Sequence, residues 1–98
     1  MIRGTTPTLA FTLPFSAENI AELYITFTQC GKQVIEKSLD ECIVESNVVK
    51  VKLTQTDTLA FSCRQADIQI RAKFTNGEAV ASEIIQMSVE RVLKDGEI

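Results

Sequence analysis

The sequence predicts an all-β fold, an antiparallel sandwich of about seven strands in one domain covering residues 1–98, and three observations carry it. The first is strict alternation from Ala66 to Phe74. Ile68, Ile70, Ala72 and Phe74 share one face, and Asp67, Gln69, Arg71 and Lys73 the other. A period of two over such a stretch marks a half-buried strand and not a helix. The second is turn chemistry spaced roughly every ten residues, as at Gly31, Ser46-Asn47 and Asn76-Gly77. The third is composition: 98 residues, 45% hydrophobic and 23% charged, can bury one core without staples and do not fit disorder.

Taken in order, Thr8–Leu13 alternates Leu9, Phe11 and Leu13 against Thr8, Ala10 and Thr12. Pro14 cannot donate to a ladder and ends that strand. Ser16–Ala21 follows as a loop or a single helical turn, with Ser16 as its N-cap. In Glu22–Cys30, Leu23, Ile25 and Phe27 point inward while Tyr24, Thr26 and Thr28 take the other face. Gly31-Lys32 is expected to turn this strand into a hairpin with Gln33–Ser38. A brief extended piece, Cys42–Glu45, and a Ser46-Asn47 turn lead to Val48–Leu53, with Val49, Val51 and Leu53 inward. Thr54-x-x-Asp57 reads as a capping box shortened by a methylene. It predicts one short helical turn near residues 54–60, with Leu59 and Phe61 folding back to the core. Asn76-Gly77 predicts a type I′ hairpin after Ala66–Phe74. The last strand is placed at about Ala79 to Leu93. Val80 and Ile84 fall out of phase with Ile85, Met87 and Val89, which predicts a bulge or a switch of sheets near Ser82-Glu83.

The chain offers little for reaction chemistry. It has no histidine, so the usual nucleophile–base pairs cannot be built, and Gly4, Gly31, Gly77 and Gly96 are isolated turn residues, not a phosphate loop. Asp40, Glu41 and Glu45 read as solvated acids in a turn. Neither an enzyme nor a cofactor or metal site is expected. Cys30, Cys42 and Cys63 lack zinc spacing and are expected to be free thiols serving as small buried hydrophobes. The stretch Met1–Pro7 lacks the apolar region of a secretion signal, so synthesis in a reducing cytoplasm is expected. A net charge of −3 argues against nucleic acid, and no run is long enough to span a membrane. Two candidate interface elements remain. One is the arm Met1–Thr6, carrying Met1, Ile2 and Arg3, for which no local partner is evident and whose deletion is expected to leave the domain folded. The other is Tyr24, outward on its strand.

Leu53-x-x-x-Asp57-Thr58-Leu59-Ala60-Phe61-x-Cys63 is similar to the E–F corner of immunoglobulin domains. Phe61 lacks the hydroxyl of a tyrosine corner, there is no Trp, and Cys30 is too near in sequence to be the usual disulfide partner of Cys63. The likeness is therefore one of corner physics and does not indicate an antibody-type domain.

A broader likeness runs through Met1-Ile-Arg-Gly-Thr-Thr-Pro-Thr-Leu9, Leu23-Tyr-Ile-Thr-Phe-Thr-Gln29, Val51-Lys-Leu-Thr-Gln-Thr-Asp-Thr-Leu-Ala-Phe61, Ile68-Gln-Ile-Arg71 and Glu90-Arg-Val-Leu-Lys-Asp-Gly-Glu-Ile98. With these segments the chain resembles a family of short virion structural proteins from phages and prophages of Gram-positive bacteria. It is also distantly similar to the immunoglobulin-like N-terminal domain of phage baseplate upper proteins. The resemblance implies an immunoglobulin-like sandwich and a non-enzymatic structural or assembly role, in a tail or baseplate. It implies other phage structural proteins or a second copy as partners, and a chain made in the bacterial cytoplasm and carried in the virion once assembled. It brings no catalytic residues with it. The alternative is a small module binding a host-surface glycan. Such sites present exposed aromatics, and this chain has five Phe, one Tyr and no Trp, most of them in core phase.

Overall fold

The alternation seen in the sequence becomes two antiparallel sheets packed through one core in a computed structural model that describes residues 1–98. The strands are β1 (Thr8–Thr12), β2 (Ile20–Gln29), β3 (Lys32–Ser38), β4 (Cys42–Glu45), β5 (Val48–Lys52), β6 (Ala66–Phe74), β7 (Ala79–Ala81) and β8 (Ile85–Met87). A 3₁₀ turn, Leu39–Glu41, carries the chain from one sheet to the other, and one short helix, α1 (Gln55–Leu59), returns it. The smaller sheet has the order β1-β5-β4. The larger has β3-β2-β6, with β7 and β8 both lying along the far edge of β6.

The inner faces are those the period of two assigns. Leu23, Ile25 and Phe27 of β2, Ile68, Ile70 and Ala72 of β6, and Val49 and Val51 of β5 are buried together with Phe11, Leu13, Leu53 and Phe61. Burying each large side chain here stabilises the fold by about 1.5–3 kcal/mol. Phe61 meets Phe27 edge to face, with ring centroids 5.8 Å apart.

In the lettering of immunoglobulin sandwiches, β1, β5 and β4 stand where B, E and D do, and β3, β2, β6 and β7–β8 where C′, C, F and G do. α1 therefore sits at the E–F corner, where the sequence likeness placed it. Its capping box closes as expected: the Thr54 hydroxyl accepts the Asp57 N–H at 3.1 Å, and the Asp57 carboxylate accepts the Thr54 N–H at 2.9 Å. Phe61 reaches the core, but Leu59 is only half-buried, and Thr58 is the fully buried residue of the helix.

Several local readings change. The β2–β3 turn is Cys30-Gly31, not Gly31-Lys32: Gln29 pairs with Lys32, and the two residues between them have φ of 52° and 75°. Positive φ at both positions is what a two-residue hairpin turn with strand-matched twist requires. Asn76-Gly77 does form a hairpin, but through a three-residue loop, because only Gly77 has positive φ. The Gly77 N–H bonds to the Phe74 carbonyl at 2.9 Å, and the Asn76 side chain accepts the Glu78 N–H at 3.0 Å. Ser16–Ala21 has no helical turn: residues 16–19 are a loop in which the Ser16 hydroxyl accepts only the Glu18 N–H, and Ile20 and Ala21 already belong to β2. The last strand stops at Met87, six residues short of Leu93, because the following segment bonds to the N-terminus.

The phase change near Ser82 is a bulge, not a switch of sheets. Pairing moves by one residue between Arg71↔Ala81 and Ile68↔Ile85. Ser82 fills the gap: its N–H bonds to the Ile70 carbonyl at 2.8 Å and its Oγ accepts the Ile70 N–H at 3.0 Å. With β7 and β8 taken as one broken strand, the count is the expected seven.

Candidate functional site

The N-terminal arm, for which the sequence shows no local partner, has a distant one within the chain. The Met1 ammonium donates to the Ser88 carbonyl at 2.7 Å, the Glu90 N–H to the Met1 carbonyl at 2.7 Å, and the Arg3 N–H to the Glu90 carbonyl at 3.0 Å. These bonds set Ile2 in a parallel bridge with Glu90. The Arg3 guanidinium crosses to α1, where it donates to the Leu59 carbonyl at 3.0 Å, and it lies 3.9 Å from the Asp95 carboxylate. Thr58 Oγ1 donates to the Thr5 carbonyl at 2.8 Å, which tethers the end of the arm. Met1 packs against the core, while Ile2 remains 46% exposed. A partner 87 residues away leaves no local pattern to read.

Tyr24 lies elsewhere. It pairs across β2 with Ser38 and Arg71 and, 41% exposed, is the only exposed aromatic side chain. Beside it Glu22, Arg71, Lys73 and Ala79 line an open depression of about 220 Å³ on the outer face of the larger sheet. The structure therefore does not join Met1, Ile2 and Arg3 with Tyr24 into one site.

The ionisable groups brace the fold. Asp57 is partly buried, which opposes its ionisation. Hydrogen bonds from Lys37 and Thr54 and the Lys37 charge outweigh that and hold the carboxyl below the ordinary range. Lys37 Nζ sits 2.8 Å from it, tying the end of β3 to α1. Burial pushes the Cys42 thiol up, helped by Glu41 and Asp40 and opposed by Lys37, so the thiol stays protonated and donates to the Ser38 carbonyl. Neither group is poised to attack or to shuttle a proton.

The other two cysteines correct the sequence reading, because Cys30 and Cys63 are exposed. Cys30 occupies a turn, and Cys63 lies between two residues that Gln29 holds. The buried Gln29 amide donates to the Ser62 and Arg64 carbonyls at 2.9 and 3.0 Å and accepts the Ser62 N–H at 2.8 Å. A polar residue in the inward phase of β2 was the available signal for this clasp. No group of three or more Cys, Asp or Glu side chains is arranged to hold a metal ion, and no helix is long and apolar enough to cross a membrane.

The sheet edges differ sharply from one another. β3 carries Lys32, Glu36 and Lys37 and is bulged opposite Phe27 and Thr28. β4 is four residues long, follows Asp40 and Glu41, and ends in Glu45. β7–β8 is broken at Ser82-Glu83. Charges, bulges and short strands are the devices that stop an edge from pairing with another chain. β1 has none of them. It lies in Gly4–Ala17, the longest uncharged stretch of the sequence, and pairs with β5 in unbroken register. No strand stands beside it where immunoglobulin sandwiches of the constant type have strand A.

No family model, curated protein or solved structure matches this chain. The bare edge was missed in the sequence, although the uncharged stretch that forms it was visible there.

Proposed function

We propose that the chain is a non-catalytic structural or assembly module of a phage or prophage particle, belonging to its tail or baseplate. The observation that carries the assembly part is the unprotected β1 edge, a main-chain surface suited to strand addition. The resemblance of the opening, central and closing segments to virion structural proteins supports the phage context. The direct test is to purify particles from the source bacterium after induction and measure this chain by mass spectrometry beside the tail proteins. Co-sedimentation with particles is the expected result. An abundant chain in the lysate that is missing from particles would overturn the reading.

A second reading, a module binding a host-surface glycan, is favoured by Tyr24 with Glu22 and Arg71 at its side. A glycan array probed with the isolated protein separates the two. The assembly reading expects no binding.

A further inference from the structure

We infer that β1 is a self-pairing edge, through which two copies of this chain join their smaller sheets about a two-fold axis at Ala10. The inference deepens the assembly reading and rests on it for its biological sense, while its geometry stands on the ladder alone.

The hydrogen-bond pattern shows which groups are free. The Leu13 N–H bonds to the Asn47 carbonyl at 2.7 Å, and the Leu53 N–H to the Pro7 carbonyl at 2.9 Å. Residues 7 and 13 thus turn their ladder groups toward β5, and alternation assigns Leu9 and Phe11 the same direction. The N–H and C=O groups of Thr8, Ala10 and Thr12 then point away from β5, into open space. At the Thr12 end that space is an open cleft of about 360 Å³, lined by Thr12, Leu13 and Pro14 on one side and Ser82, Glu83 and Ile85 on the other.

The side chains select the occupant. Thr8-Leu9-Ala10-Phe11-Thr12 reads nearly the same in both directions. An antiparallel copy centred on Ala10 sets Ala10 opposite Ala10, Thr8 opposite Thr12, and Leu9 opposite Phe11. The outward groups of residues 8, 10 and 12 then meet one another, making about six main-chain hydrogen bonds. Leu9 and Phe11 fall in the pairs whose side chains approach more closely, and both Thr–Thr and aromatic–aliphatic pairs are favourable across strands. Moving one copy by a single residue would set outward groups against inward ones. The arrangement is isologous and closes at two copies, giving one sheet of order β4-β5-β1-β1-β5-β4. A strand from a different protein would find the same hydrogen bonds, but not the matched palindrome.

The test is the mass of the untagged full chain by sedimentation equilibrium over a concentration series, for the wild type and for A10K and A10D. The Ala10 side chain is exposed, its N–H does not serve β5, and its cross-strand neighbour is Lys50, so A10K meets a mild repulsion and A10D an attraction within the monomer; both variants keep the monomer fold, which circular dichroism checks. The wild type is expected to rise from 10.9 kDa toward twice that mass. Each variant alone sets like charges face to face and should associate at least about tenfold more weakly. An equimolar mixture of A10K and A10D should recover a mixed dimer. A wild type that remains at 10.9 kDa throughout overturns the inference, as does a dimer indifferent to both substitutions. Neither result bears on whether the chain is found in particles, so the two proposals fail separately.

Discussion

β1 and β7–β8 adjoin on one open side of the sandwich, and they are finished in opposite ways. The β7–β8 edge is interrupted by Ser82, whose hydroxyl takes the Ile70 N–H, and its continuation Ser88–Glu90 is bonded to the arm Met1–Arg3. β1 runs five residues without a charge, a bulge or a covering segment. Both belong to the same fold and share the same core, so fold class does not explain the difference. The chain finishes the β7–β8 edge from within, using its opposite terminus. Among the edges it leaves unpaired, β3 and β4 are blunted by charges, a bulge or short length, and β1 is the one whose chemistry suits a strand from outside.

This contrast can be broken by perturbing the closed side first. Deleting Met1–Thr6 removes the backbone bonds to Ser88 and Glu90 and leaves the buried Thr58 hydroxyl without Thr5. It should lower stability by about 3 kcal/mol, read as a fall in the urea midpoint. An unchanged midpoint would return the arm to the status of a loose tail. S82A leaves the Ile70 N–H without its side-chain acceptor inside the bulge and should destabilise by about 2 kcal/mol.

Asp57 braces the corner that the arm docks on, and its effect depends on pH. Its folded pKa is depressed, so its contribution is complete above the unfolded value, about pH 4, and is lost as pH falls through the folded value. Wild type should therefore exceed D57N in urea resistance near pH 7, with the gap narrowing below pH 4. A gap that does not narrow as the pH falls would contradict the charged brace. The smallest effect is expected on the open side. A10K should lower monomer stability by no more than about 1 kcal/mol at concentrations below association, because Ala10 is exposed and its ladder groups point outward, leaving only repulsion from Lys50 opposite it on β5.

The sheets were legible because the period of two is local. Leu23, Ile25 and Phe27 or Ile68, Ile70 and Ala72 announce a buried face without reference to any partner. The Thr54–Asp57 box was legible for the same reason, since both its bonds close within four residues. Turn geometry was less so: Cys30-Gly31 is selected by the β2–β3 pairing, and Gly alone does not say which neighbour shares its turn. The bond from Arg3 to the Leu59 carbonyl, the burial of Thr58, and the exposure of Cys30 and Cys63 depend on contacts distant in sequence. Nothing beside those residues encodes them. The β1 edge lies between these cases, for its lack of charge is plain in the sequence but its position at the margin of a sheet is not.

Residue-resolved amide exchange on Thr8 to Leu13 tests the central claim most directly, recorded by NMR at low and at high protein concentration. In the dilute monomer the amides of Leu9, Phe11 and Leu13 should be protected and those of Thr8, Ala10 and Thr12 should exchange quickly. At high concentration the fast set should become protected and the alternation should disappear. Alternation that persists at every concentration would contradict pairing through this edge. Protection of Thr8, Ala10 and Thr12 already at high dilution would show that the edge is not bare.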